Sequence, residues 1–207
     1  MRLRPALASD IQAVAALHAD SWRRFYRGAY TDDYLDGDLL ADRLAVWAAR
    51  LNHPDPRAVT IVVDPESESR HQILGFVHLV RDHDPTWGAL VDNLHVRRAE
   101  QGGGLGSALL TRAAAQAGGS ALYLWVQEQN TRARAFYAAR GGRVVGRAQI
   151  SDPGGVPGRT VGRPMKLRVA WADAAAVGKA KAAPSQGERR GLQDRVSGPG
   201  SSATAAG

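Results

Sequence analysis

No cysteine occurs in the 207 residues, which excludes disulfides, thiolate nucleophiles and cysteine metal sites and is compatible with a reducing cytosol. The six histidines are dispersed, and Asp82-His83-Asp84 reads as a polar turn, so no metal site is expected. Apolar runs of membrane-spanning length are missing, and Met1-Arg2-Leu3-Arg4-Pro5 lacks the apolar centre of a secretory signal. The reading is a cytoplasmic protein with no membrane partner. A net charge of +7 invites nucleic acid as a partner. The basic residues, however, are mostly arginine and are spread along the chain rather than blocked together with aromatics, which disfavours that partner.

What the chain does have is the run Gln101-Gly102-Gly103-Gly104-Leu105-Gly106-Ser107, between the apolar stretch Leu90 to Val96 and Ala108-Leu109-Leu110. It reads as a strand, a glycine loop and a helix start. Successive glycines let several N–H groups converge, and the helix adds its unpaired amides and the positive end of its dipole. Such a site favours phosphate. Two phosphate loops are excluded by what is missing. Gly106 is followed by Ser107 and Ala108 with no lysine, unlike nucleotide hydrolases. Started at Gly102 or Gly104, the dinucleotide pattern G-x-G-x-x-G meets Ser107 or Leu109 where its third glycine belongs.

The loop resembles the acyl-coenzyme A loop of the GNAT superfamily of N-acetyltransferases, V-x-P-x-x-Q/R-G-x-G-L/I-G followed by two leucines. Val96, Gln101, Gly102, Gly104, Leu105, Gly106, Leu109 and Leu110 fall in register, with Arg98 in place of the usual proline. A second stretch supports the first. Leu122-Tyr123-Leu124-Trp125-Val126 reads as a strand, and Asn130 opens a helical stretch through Ala133, Phe136 and Tyr137 to Gly141-Gly142. This is similar to the family's N-x-x-A-x-x-F-Y-x-x-x-G segment. Gly142 stands where a phenylalanine is usual, which is expected to cost core packing. Asn130 is a good N-cap, and Tyr137 follows two turns later on the same side of the helix.

The order of elements argues for an α/β sandwich around a mixed, mostly antiparallel sheet with helices on both faces, and the resemblance implies the same. Strands are read at Leu3 to Pro5, Ala58 to Val63, Ile73 to Arg81, Ala89 to Val96, Ala121 to Gln127, Arg143 to Ile150 and Thr160 to Val169. Residues 1–169 make one domain, and 170–207, rich in Ala, Gly, Ser and Pro, read as a disordered low-complexity tail.

The resemblance implies acetyl-CoA as co-substrate, without metal. The strands holding Leu94 and Leu124 would splay to admit the pantetheine arm, with Leu94, His95 and Val96 giving main-chain hydrogen bonds. The amides from Gln101 to Ser107 would grip the pyrophosphate, Asn130 would touch the coenzyme, and Tyr137 would be the acid for the departing thiolate. Acyl transfer also needs a base for the amine and donors for the oxyanion. Backbone N–H groups near Leu94 to Val96 serve the oxyanion if a bulge or splayed edge leaves one unpaired.

The protein N-terminal acetyltransferases of ribosomal proteins carry a glutamate five residues before the asparagine; here that residue is Trp125. Asp92, which shares strand parity with Leu94 and Val96, is the first candidate base, and His95 the second.

By the resemblance, His18 to Asp38 and Ser151 to Arg163 line the acceptor side. Trp22, Phe25, Tyr26, Tyr30 and Tyr34, among Asp20, Asp32, Asp33, Asp36 and Asp38, lean toward a cationic small-molecule amine, with a peptide amine next. Homodimers are known in the family. The rival reading is a catalytically weak acyl-CoA-binding sensor or interaction module.

Overall fold

The computed structural model describes residues 1–66 and 72–178. Seven strands form one sheet: β1 (Arg2–Pro5), β2 (Ala58–Asp64), β3 (Gly75–Asp84), β4 (Gly88–Val96), β5 (Leu122–Gln127), β6 (Arg143–Gln149) and β7 (Met165–Trp171), in the order β1-β2-β3-β4-β5-β7-β6. Every neighbouring pair is antiparallel except β4 and β5. The helices are α1 (Ile11–Phe25), α2 (Asp32–Asp36), α3 (Leu39–Asn52), α4 (Leu105–Gln116) and α5 (Thr131–Ala138). The expected mixed sheet with helices on both faces is therefore present.

Alternation along the strands sorts the core into two layers. Val62 and Phe76 face α1 and α3, where they meet Val14, Leu17 and Trp47. Val77, Leu79, Val91 and Leu124 face the other way, against Leu105, Leu109, Leu110 and Ala113 of α4. That spacing keeps the apolar residues of α4 on one side of the helix. Each large side chain so buried contributes roughly 1.5–3 kcal/mol.

Most strand boundaries shift by one to three residues from the sequence reading, and two differences matter for the fold. The last strand starts at Met165, not Thr160. Thr160 instead bonds back to Asp152, whose Oδ1 accepts from its N–H at 2.8 Å and its hydroxyl at 2.9 Å. Gly158 and Gly162, both at positive φ, help keep that stretch out of the ladder.

Packing also continues past Val169, where the domain was expected to end. Ala170 and Trp171 complete β7, and a turn at Ala174–Ala176 brings buried Ala174 and Val177 onto the α4 layer. The alanine-rich composition hid this, since Ala174 and Val177 are small and carry little periodic signal. The remainder of the proposed tail, 179–207, lies outside the described residues.

Candidate active site

The centre of the sheet is open on one side. Strands β4 and β5 pair only at Ala89–Leu122, Leu90–Tyr123 and Val91–Leu124. Beyond Val91 the two diverge, which is the splay the sequence led us to expect. It begins where β4 carries a bulge. His78 pairs with Asn93 but Leu79 pairs with Val91, so Asp92 is the extra residue.

The bulge reassigns several predicted residues. Arg97 N–H bonds Leu74 O across to β3 at 2.8 Å, and main-chain groups alternate along a strand. His95 thus turns its main chain to β3, while Leu94 and Val96 turn theirs to the open edge. The expected trio of backbone contacts reduces to Leu94 and Val96, and the Val96 carbonyl accepts from the Gln101 side chain at 3.1 Å.

Asp92 does not share the face of Leu94 and Val96, because the bulge breaks the two-residue alternation. It lies on the α3 side, its Oδ2 paired with Arg50 at 2.8 Å and accepting from Asn93 Nδ2 at 2.6 Å. Both contacts fall on one oxygen, so Oδ1 is left to accept a proton.

At the glycine loop the backbone does what the sequence suggested. Gly102 and Gly104 have φ of +95° and +87°, a region costly for other residues. Gly104 caps α4, whose first intrahelical acceptor serves Ala108 at 3.1 Å. The N–H groups of Leu105, Gly106 and Ser107 are accordingly unpaired donors of the first turn. Gly106 packs closely on α5: a Cβ there would sit 3.3 Å from the Phe136 ring, which would have to give by a few tenths of an ångström. Gly103 meets neither constraint. Arg140, stacked 3.7 Å from the Phe136 centroid, donates from Nε to Ser107 Oγ at 3.0 Å and fastens α5 to the start of α4.

Asn130 caps α5, its side chain accepting from Ala133 N–H at 3.0 Å. The turn that follows the helix closes at Gly141, with φ of +82°, and Gly142, whose N–H bonds Tyr137 O at 3.0 Å. Packing loss at Gly142 does not occur. A Cβ there would lie 2.6 Å from Val169 and 2.7 Å from Trp171, so the space is already filled by the Trp171 indole, which donates to Arg140 O at 2.8 Å. Trp171 in turn meets Tyr137 edge-on at 6.3 Å. Tyr137 is buried, and that burial pushes its phenol up from the ordinary tyrosine range.

One cavity of about 710 Å³ joins these parts. Gln101, Gly102, Gly104, Gly106, Ser107 and Asn130 line one end, Leu94, Val96, Leu124 and Tyr137 the middle, and α1 and α3 the far end. Trp22, Tyr26 and Tyr30 line the far wall with successive centroids 4.9 and 5.0 Å apart, and Tyr34, expected there too, stands outside the cavity with its ring 6.0 Å from that of Tyr30. His18, Ser151, Pro153 and Gly154 border the same cavity, while Asp152 and the rest of the expected stretch to Arg163 do not.

The predicted carboxylates do not. Asp20 pairs with Arg24, Asp32 and Asp36 pair with Arg27, and none of Asp20, Asp32, Asp33, Asp36 and Asp38 lines the cavity. The sequence reading instead missed Asp42, Arg43, Arg50 and Lys166, which do. A signal existed for the two arginines: Arg43, Trp47 and Arg50 are spaced i, i+4, i+7 along one face of α3.

His95, the second candidate base, lies with its ring 4.8 Å from His18, and burial lowers it to about 4. Trp125 occupies the glutamate position and carries Lys166 Nζ 4.9 Å over its ring. Asp82, at φ of +48°, His83 and Asp84 form the irregular end of β3 rather than the turn expected there; the turn follows at residues 85–87, where Asp84 Oδ1 accepts from the N–H groups of Thr86 and Trp87. Among the described residues no group of three metal-ligating side chains occurs, and no helix is long and apolar enough to cross a membrane.

A mixed sheet divided between β4 and β5, with the N-terminus of α4 beside the opening, defines the class of α/β fold. Residues 15–142 match the model of the acetyltransferase (GNAT) family, and the chain belongs to that family. A Mycobacterium tuberculosis protein described as a probable N-acetyltransferase is 28% identical over 153 residues, 74% of this chain and 86% of its own. The fold is also that of a GCN5-related N-acetyltransferase from Rhodopseudomonas palustris, with a TM-score of 0.61 and 21% identity over 83% of this chain and 94% of that one. PaiA N-acetyltransferase from Thermoplasma acidophilum, solved in complex with coenzyme A, gives 0.56 and 18% over 80% and 96%.

Proposed function

We propose that the protein transfers an acetyl group from acetyl-CoA to a primary amine of a small molecule or peptide, by direct attack in a ternary complex. The observation that carries this reading is the continuity of the cavity from the free amides of α4, along the open edge of β4, to the aromatic wall of α1. Donor and acceptor meet there with no cysteine to take the acyl group first. The coenzyme A held by PaiA, a relative in fold, is consistent with the same ligand here.

Leu105, Gly106 and Ser107 N–H groups hold the pyrophosphate, with Arg140 steadying Ser107. Leu94 and Val96 present main-chain groups to the pantetheine arm and a donor to the oxyanion. Asp92 Oδ1 takes the amine proton, directly or through water, as the N–C bond forms and the C–S bond breaks. Tyr137 donates its O–H to the departing sulfur. Because burial raises the phenol while a thiol sits near ~8.5, stabilisation through that hydrogen bond outweighs full proton transfer.

Calorimetry with coenzyme A, followed by thiol release over an amine panel, tests the reading. Saturable binding and turnover are expected, with Tyr137→Phe lowering kcat about 10²-fold while coenzyme affinity stays within about twofold. Binding with no turnover on any amine or peptide supports the sensor instead, and no binding overturns both.

A further inference from the structure

The acceptor end of the cavity carries more positive charge than its carboxylates neutralise. Asp42 is committed to Arg43 at 2.7 Å and to the Tyr34 hydroxyl at 2.6 Å. Asp92 is committed to Arg50 at 2.8 Å. The two arginines and two aspartates cancel, and Lys166 is the remainder: among the described residues no carboxylate lies within ion-pair distance of its ammonium. One of only three lysines in the chain, it rests over Trp125, partly withdrawn from water.

Burial and the neighbouring Arg168 lower its pKa, while the Asp92 charge is near enough to raise it. Arg43 is 7% exposed, stacked 4.4 Å from the Trp22 centroid, and its Nε is buried with no partner. A cation held in a half-apolar cavity without a counter-ion is under-solvated, and a ligand anion would relieve that cost. Trp22 covers a face of the planar Arg43 guanidinium and Trp125 one side of the Lys166 ammonium, which leaves N–H donors on each pointing away from the ring.

We propose that the acceptor amine also bears a carboxylate, as an amino acid does, and that Lys166 receives it in a cavity that Arg43 also lines. This deepens the acetylation reading and rests on it. The placement is geometric: Lys166 on β7 pairs with Gln127 of β5, beyond the splay from β4, and it lines the same cavity as Asp92 of β4. An acceptor spanning that gap sets its amine beside Asp92 and its carboxylate on the opposite bank. It also reverses the preference for purely cationic amines that the aspartate-rich α1–α2 segment suggested, since those aspartates lie outside the cavity.

Inhibition by N-acetylated products tests this without the complication of a titrating amine. Matched pairs of N-acetyl amino acids and their primary amides are compared, alongside thiol release from amino acids and from the corresponding decarboxylated amines. The carboxylate is expected to improve inhibition and kcat/KM at least tenfold, with the ratio falling near one in Lys166→Met and surviving in Lys166→Arg. Equal inhibition by acid and amide, or a ratio unmoved in Lys166→Met, overturns the inference while turnover on the plain amines leaves the acetylation reading standing. No thiol release from any amine removes both.

Discussion

Asp92 illustrates what one residue out of register can do. The sequence allowed it to be picked as an acidic group on the strand proposed to present the thioester, but not to be placed. Parity put it on the face of Leu94, and the bulge, which depends on the pairing of β3 rather than on any local motif, moved it beside Arg50. Tyr137 and Asn130 were legible because their positions follow from a cap and a helical period alone. Arg43 and Lys166 were not, since their importance comes from what α3 and β7 are folded against. If Asp92 Oδ1 accepts the amine proton, Asp92→Asn lowers kcat about 10²-fold with little change in coenzyme affinity. Steady-state kinetics with the best acceptor measures this, and unchanged turnover would remove Asp92 from the chemistry.

Among the elements, the glycine loop with α4 and the capped α5 were read correctly in type and nearly in extent, because turn chemistry and caps act within a few residues. The end of β7 was not. Trp171 and Val177 sit in alanine-rich sequence with little local signal, yet the Trp171 ring fills the space over Gly142 and abuts Tyr137. The indole is 2% exposed, and glycine at position 142 exists to admit it. Trp171→Ala is therefore expected to destabilise the fold by about 3–5 kcal/mol, read from the shift of the urea midpoint. A loss below about 1 kcal/mol would mean that the strand end is dispensable. Gly104→Ala makes the complementary case: nothing lies within 4 Å of the added methyl, so the strain at φ of +87° should appear as weaker coenzyme binding in calorimetry rather than as a packing defect.

Across the whole molecule, buried imidazoles tie stability to pH. His18 and His78 are 1% and 4% exposed, the first accepting from Trp47 Nε1 at 3.0 Å and the second bonded to Thr60 Oγ1 at 2.8 Å. Burial holds both below the usual histidine range, His78 at about 4. The unfolded chain, titrating near ~6.5, then binds more protons than the folded one between those values. The stabilisation is complete above about pH 6.5 and is lost as pH falls toward 4, with His78 alone accounting for roughly 3 kcal/mol. Urea midpoints at pH 7, 5.5 and 4.5 should decline in that order, with a shallower slope in His78→Gln; a flat profile would refute the assignment. The same scale reveals a vulnerability in the three register pairs that tie β4 to β5. They act as a zipper whose stopping point fixes the width of the gate, so a substitution that let it run on by two more rungs would silence the protein while leaving every reactive group intact.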